Sequence, residues 1–271
     1  MNIDVGVDRV PIRTERPVTG VAVVFLDRPT QRNSLSVAMM AALHGEIAIL
    51  GSDPGIAAVV IAAEGPAFCA GHDLKELTAH REDLDGGRIF FAETMVRCSA
   101  LMQAIIACPK PVIAAVHGVA TAAGCQLVAT CDLAVAEEDS RFATPGVNIG
   151  LFCSTPMVAL ARNVPRKRAM EMLLLGEMMG AAEAAEYGLI NRVVGKGESF
   201  AAAMEMARTI ASKSPLTVSM GKTAFYEQIE MPLSAAYDYA AKVMVENMLK
   251  ADAAEGISAF LDKRPPVWRG C

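Results

Sequence analysis

Apolar runs with almost no polar interruption limit most strongly what this chain can fold into. "GVAVVFLDRP" (Gly20 to Pro29), "GIAAVVIAAEG" (Gly55 to Gly65) and "CPKPVIAAVHGVA" (Cys108 to Ala120) are each ended by Gly, Pro or a charge. Runs this short and this apolar predict buried strands. Between them the period changes. "SLSVAMMAALHGEIAIL" has helical spacing behind a serine cap, and an amphipathic helix is predicted from Arg88 to about Ala107. A Gly-containing loop, "GPAFCAGHDLKEL", and a polar gap from Thr78 to Gly87 precede that helix.

After the third strand, "ATAAGCQLVATCD" (Ala120 to Asp132) predicts another helix, and "DLAVAEEDSRFATPGV" predicts two short strands joined by an acidic turn. Helices then dominate: Thr155 to Leu175, Ala181 to Tyr187, Phe200 to Ser212, Leu216 to Gln228, Pro232 to Lys250 and Ala251 to Asp262. Strands mixed with helices, followed by helices alone, predict an α/β core with a helical C-terminal extension. The boundary is placed near Gly195 to Ser199, giving a lead-in over residues 1–17, a core over 18–197 and a helical region over 198–271.

The 271 residues are 53% hydrophobic and 20% charged, which describes a chain with a large core. A net charge of -5 and the lack of a basic stripe exclude nucleic acid as the expected partner. No apolar run is read as a membrane span, and neither a signal core nor a transit-like composition stands out. The seven cysteines show no CxxC pair and several lie in apolar runs, so reduced thiols and a cytoplasmic location are expected. No metal-ligand set is assigned.

Two places offer backbone donors to an anion. "CAGHDL" follows a strand, and its small residues let a ligand approach the main chain. The start of the helix near Ala122 to Gly124 presents free N–H groups at the positive end of the helix dipole. Two such donors on one carbonyl oxygen would form an oxyanion hole, in which losing one donor typically costs about 3 kcal/mol. The same small residues also suit close packing, and composition alone leaves both readings open.

"LDRPTQRNSLS", "FCAGHDLKEL", "KPVIAAVHGVATAAGCQLVATCDLAVA", "FATPGVNIGL", "AAEAAEYGLINRVV" and "EGISAFLDKRPPVW" follow one another along the chain. In this order they resemble the crotonase superfamily of enoyl-CoA hydratases and isomerases, from about Val18 to Trp268. Within it the chain is similar to the group called enoyl-CoA hydratase domain-containing proteins. The resemblance implies a crotonase-type spiral of ββα units with helices at the C-terminus, assembled as a homotrimer or a dimer of trimers. It implies an acyl-CoA thioester as partner in fatty acyl-CoA metabolism, with coenzyme A as part of the substrate and no permanently bound cofactor.

Carried over by position, the oxyanion donors are the backbone N–H groups of His72 and Ala123. Ala70, His72, Asp73, Leu74 and Lys75 line the acyl-CoA path, and Arg28 lies near the coenzyme phosphates. Phe260 and Lys263 reach the coenzyme from the C-terminal helix, often that of a neighbouring subunit.

The chain departs from this pattern where hydratases carry two glutamates, which align with Gln126 and Gly146. Gln126 is three residues beyond Ala123 on a predicted helix, so it should project on the donor side. An amide can orient a substrate or water there, but it cannot exchange protons as a carboxylate does. Two-glutamate hydration is therefore not expected. Enolate stabilisation with Gln126 or His72 orienting the substrate remains open. So do decarboxylation of a malonyl-type (2-carboxyacyl) CoA, suggested by a similar histidine in such relatives, and acyl-CoA binding without catalysis. Among other candidates, Asp132 is read as structural, Glu137 to Asp139 as a solvated turn, and Cys153 as a packed thiol.

Overall fold

The computed structural model describes residues 10–271. Its main sheet has six strands in the order β1 (Ile12–Val18), β2 (Gly20–Leu26), β3 (Ile56–Ala63), β4 (Val112–Val116), β6 (Leu133–Glu137) and β9 (Arg192–Val194). All neighbours run parallel except β1, which pairs antiparallel with β2. A second sheet joins β5 (Val119–Thr121), β7 (Arg141–Ala143) and β8 (Met179–Gly180).

The alternation of side chains explains why the apolar runs have no polar face. Ala22, Val24 and Leu26, with Val59, Ile61, Val112 and Val116, face one core. That core also receives residues of α1 (Val37–Ser52), α3 (Arg88–Ala107) and α4 (Ala123–Thr130). Val21, Val23, Ala58, Val60 and Ile113 face the other side, covered by Ala203, Met204 and Ala207 of α8 (Ser199–Ala211). Both faces are dry, so both parities of each strand must be apolar.

The structure has the expected α/β architecture, with several local differences. The lead-in assigned to residues 1–17 falls partly outside the described residues, and from Ile12 it is strand. The helix predicted from Thr155 to Leu175 is two, α5 (Pro156–Asn163) and α6 (Arg166–Leu175). Pro165 lacks the N–H to continue a helix and forces Val164 into an extended conformation. The short strands β5, β8 and β9 were not legible. The helical region begun at residue 198 opens with α8, which completes the burial of the sheet. Glu137, read as solvated, is buried and accepts a hydrogen bond from the Ser199 hydroxyl at 3.0 Å.

By length and composition alone α3 could cross a membrane, with a mean hydropathy of 1.4 over an 18-residue window. Its stripe Thr94, Cys98, Leu101, Met102 and Ile105 is instead buried in the core beside α1.

The remaining helices are α2 (Leu74–Ala79), α7 (Ala181–Glu186), α9 (Pro215–Gln228), α10 (Leu233–Met248) and α11 (Ala251–Leu261). A buried ion pair clamps α9 to the spiral. Lys222 Nζ lies 2.7 Å from Asp132 Oδ2 and donates to the carbonyls of Ile105 and Lys110. Asp132 also accepts from the Val112 N–H and the Tyr226 hydroxyl. Burial raises the Asp132 pKa, and these donors oppose it. Asp132 is thus committed to structure.

The C-terminal tail folds back onto α11. Asp252 accepts from the Ser214 hydroxyl at 2.6 Å and from the N–H groups of Arg269 and Gly270. Trp268 Nε1 donates to the Ser212 carbonyl at 2.8 Å. Arg264 holds Glu255 through two bonds of 2.7 and 2.9 Å, and the Val267 N–H adds a third donor. These contacts hold the Glu255 carboxyl at a pKa of about 2, below its ordinary 4.5. A depressed carboxylate pKa gives stability that is present above the ordinary value and lost as pH falls through the folded one. Trp268, the single tryptophan, should therefore keep a steady fluorescence from neutral pH to about 4.5 and shift as the tail releases toward pH 2. Glu255→Gln should flatten that transition, with circular dichroism separating tail release from unfolding. An unchanged titration in this variant would show that Glu255 does not hold the tail.

Candidate functional site

The two donor segments meet because glycines remove the atoms that would keep them apart. A Cβ on Gly124 would lie 2.1 Å from the Cys69 carbonyl oxygen. A Cβ on Gly71, whose φ is +92, would lie 2.9 Å from the Ala122 Cβ and 3.4 Å from the Ala123 nitrogen. The loop from Cys69 to His72 is thereby seated on the first turn of α4. Hydrogen bonds fix its height: Cys69 N–H donates to the Val119 carbonyl, Thr121 N–H to the Cys69 carbonyl and Ala70 N–H to the Arg32 carbonyl. The Thr121 hydroxyl donates to the Ala70 carbonyl at 3.1 Å.

Ala122, immediately before α4, has φ 50 and ψ -119, an unfavourable conformation for a residue with a Cβ. Its N–H is pinned to the Ala143 carbonyl at 2.9 Å. Strain held in this way clusters at functional sites. Among the described hydrogen bonds, neither the His72 N–H nor the Ala123 N–H has an acceptor.

His72 Nδ1 lies 3.3 Å from the Leu35 carbonyl, which can only accept, so Nδ1 carries the proton. Nε2 is then an acceptor, buried and without a partner. Burial lowers the His72 pKa, which keeps the ring neutral at physiological pH. Gln126 is only 4% exposed. Its Oε1 lies 3.8 Å from Cys98 Sγ on α3.

Gly146 is enclosed. A Cβ there would lie 2.7 Å from the Leu151 carbonyl oxygen and 2.9 Å from Cys153 Sγ. Cys153 is buried, and burial pushes its thiol pKa up, as expected of a packed side chain.

The other sequence candidates are distributed more widely. Asp73 caps α2, accepting from the N–H groups of Lys75 and Glu76. Leu74 and Lys75 are exposed on the same turn. Arg28 follows β2, and its N–H donates to Asn33 Oδ1. Phe260, 83% exposed, and Lys263 lie at the end of α11. No described hydrogen bond or ion pair joins α11 to residues 70–75 or to α4. Sequence reasoning missed Asn33, which is fully buried and ties the Arg28 turn to the Glu64 and Ala67 carbonyls. An Asn inside a turn was its only signal. It also missed Cys98 and Thr144, whose buried hydroxyl has no partner.

The profile of the enoyl-CoA hydratase/isomerase family matches residues 16–271. The chain belongs to the enoyl-CoA hydratase/isomerase family. Within that family, human enoyl-CoA hydratase domain-containing protein 3, named mitochondrial, is 49% identical over 93% of this chain and 82% of its own length. The crystal structure of that human protein superposes with a TM-score of 0.90, covering 95% of this chain and 100% of the other. A Mycobacterium smegmatis enoyl-CoA hydratase structure gives the same TM-score of 0.90 at 49% identity, over 95% of this chain and 98% of the other. The 2,3-dehydroadipyl-CoA hydratase of Escherichia coli is 33% identical over 92% of this chain and 95% of its own.

These family members also correct the expected location. The human, rat, mouse and Xenopus laevis relatives are all named mitochondrial, which points away from the cytoplasm. Unpaired thiols report a reducing environment, which does not single out the cytosol. All seven cysteines are free.

Proposed function

We propose that this family member binds an acyl-CoA thioester and stabilises its enolate with the N–H groups of His72 and Ala123. The observation that supports this most directly is the seating of the Cys69–His72 loop on α4, where both N–H groups lack an acceptor. The positive end of the α4 dipole favours an anion at the same place. Arg28 then serves the coenzyme phosphates, while Ala70, Asp73, Leu74 and Lys75 shape the acyl-CoA path. Phe260 and Lys263 act from α11 of a neighbouring copy in a homotrimer or pair of trimers. The apolar side chains Leu233, Tyr237, Phe260 and Leu261, exposed in one copy, support such an assembly.

Hydration by two carboxylates is not the chemistry proposed. Gln126 supplies no base, and the enclosure of Gly146 leaves no room for an acidic side chain without movement of the Leu151 segment. Decarboxylation of a 2-carboxyacyl-CoA is the second reading. Gln126 and Gly146 favour it, because with no carboxylate at either position neither residue repels the carboxylate of that substrate.

Calorimetry with butyryl-CoA tests binding, and the enoyl absorbance of crotonyl-CoA tests hydration. Saturable binding with no hydration is expected, and Gln126→Glu alone should not create hydration. Hydration at a rate ordinary for a hydratase would overturn the reading of positions 126 and 146. Release of carbon dioxide from methylmalonyl-CoA would select the second reading.

A further inference from the structure

Cys98 contacts no ligand in the reading above, yet its placement bears on which acyl groups the site prefers. It lies on the buried face of α3, fully enclosed, with its sulfur 3.8 Å from Gln126 Oε1. Burial pushes the thiol up to about 11, so it keeps its hydrogen at physiological pH. That hydrogen has no other acceptor among the described residues. The Gln126 amide has two possible orientations, and only the one placing Oε1 toward Cys98 gives the S–H an acceptor. The other would leave a buried donor unsatisfied. With Oε1 turned toward Cys98 on α3, the amide presents its Nε2 hydrogens on the other side, and they have no described acceptor.

We propose that Cys98 is a positioning residue that turns Gln126 into a hydrogen-bond donor, and that the site thereby prefers acyl-CoA esters carrying an oxygen acceptor on acyl carbon 2 or 3. This rests on the acyl-CoA reading above and adds a substrate class to it. Gln126 is three residues beyond Ala123, so an amide one turn along from the thioester oxygen reaches the next acyl carbons. The Thr144 hydroxyl is a second, independent sign of a missing polar partner. It is fully buried, unpartnered, and follows Ala143, whose carbonyl pins the start of α4.

The test compares acetoacetyl-CoA, whose 3-oxo group only accepts, with butyryl-CoA, by calorimetry on the full chain. The parent should bind acetoacetyl-CoA about tenfold more tightly, the scale of one well-made hydrogen bond. Cys98→Ala should reduce that ratio at least threefold and leave butyryl-CoA affinity unchanged. Cys98→Ser retains a donor at the same place and should restore the ratio, which a purely packing role would not. Gln126→Glu should invert the preference, because a carboxylate offers lone pairs where the amide offers hydrogens. A ratio unaltered by Cys98→Ala, or a serine variant that behaves like alanine, overturns the inference about Cys98 alone. Binding of neither ester by the folded parent overturns the acyl-CoA reading and this inference with it.

Discussion

The variant Lys222→Met is expected to lose roughly 3–5 kcal/mol of folding stability, because it removes one partner of a buried ion pair and strands the other. Asp132 would be left with a buried carboxylate held only by the Val112 N–H and the Tyr226 hydroxyl. The carbonyls of Ile105 and Lys110 would lose their donor as well. Urea denaturation followed by circular dichroism measures the loss. Combining Lys222→Met with Asp132→Asn should recover part of it, since no unpaired charge remains buried. A single variant within about 1 kcal/mol of the parent would show that the clamp is worth no more than an exposed pair.

The second large effect is expected at Gly124. Its missing Cβ is what lets the Cys69 carbonyl sit against α4. The atoms it would meet are the Cys69 carbonyl group and Cβ, none of them a flexible side-chain tip, so Gly124→Ala must push the loop and the helix apart. Overpacking of this kind costs about 1–3 kcal/mol or more. The functional loss should exceed the loss of stability, since displacement separates the His72 and Ala123 donors. Removal of one such donor in other enzymes costs about 2.7–4 kcal/mol of transition-state stabilisation. Acyl-CoA titration of the folded variant should show at least tenfold weaker binding. Gly45 in α1 provides the control: nothing lies within 4 Å of its added Cβ. Gly45→Ala should stabilise by roughly 0.5–1 kcal/mol and leave binding alone. Equal behaviour of the two variants would argue against the seating of the loop on α4 as the basis of the site.

The strands of the main sheet were legible where both faces are dry, because burial on two sides writes itself into every residue. β5, β8 and β9 are two or three residues long and too short for a period to show. Thr155 to Leu175 reads as one helix because apolar spacing continues across Pro165, while the backbone breaks there into α5 and α6. The donor segments were visible as small-residue stretches, but their meeting depends on contacts between residues about fifty positions apart. Asp132 could be suspected of a structural role, whereas its partner Lys222 lies ninety residues away on a helix whose sequence gives no hint of burial. Cys98 carried no signal beyond its apolar surroundings.

The enclosure of Gly146 has a consequence for how this scaffold can change. An acidic side chain at position 146 meets backbone at Leu151 and sulfur at Cys153 before it meets any ligand. Single-step mutation at that position is therefore closed, whatever advantage the new group would bring. Any route to a carboxylate there must first reshape the loop from Gly150 to Cys153, so libraries that diversify position 146 alone should return glycine.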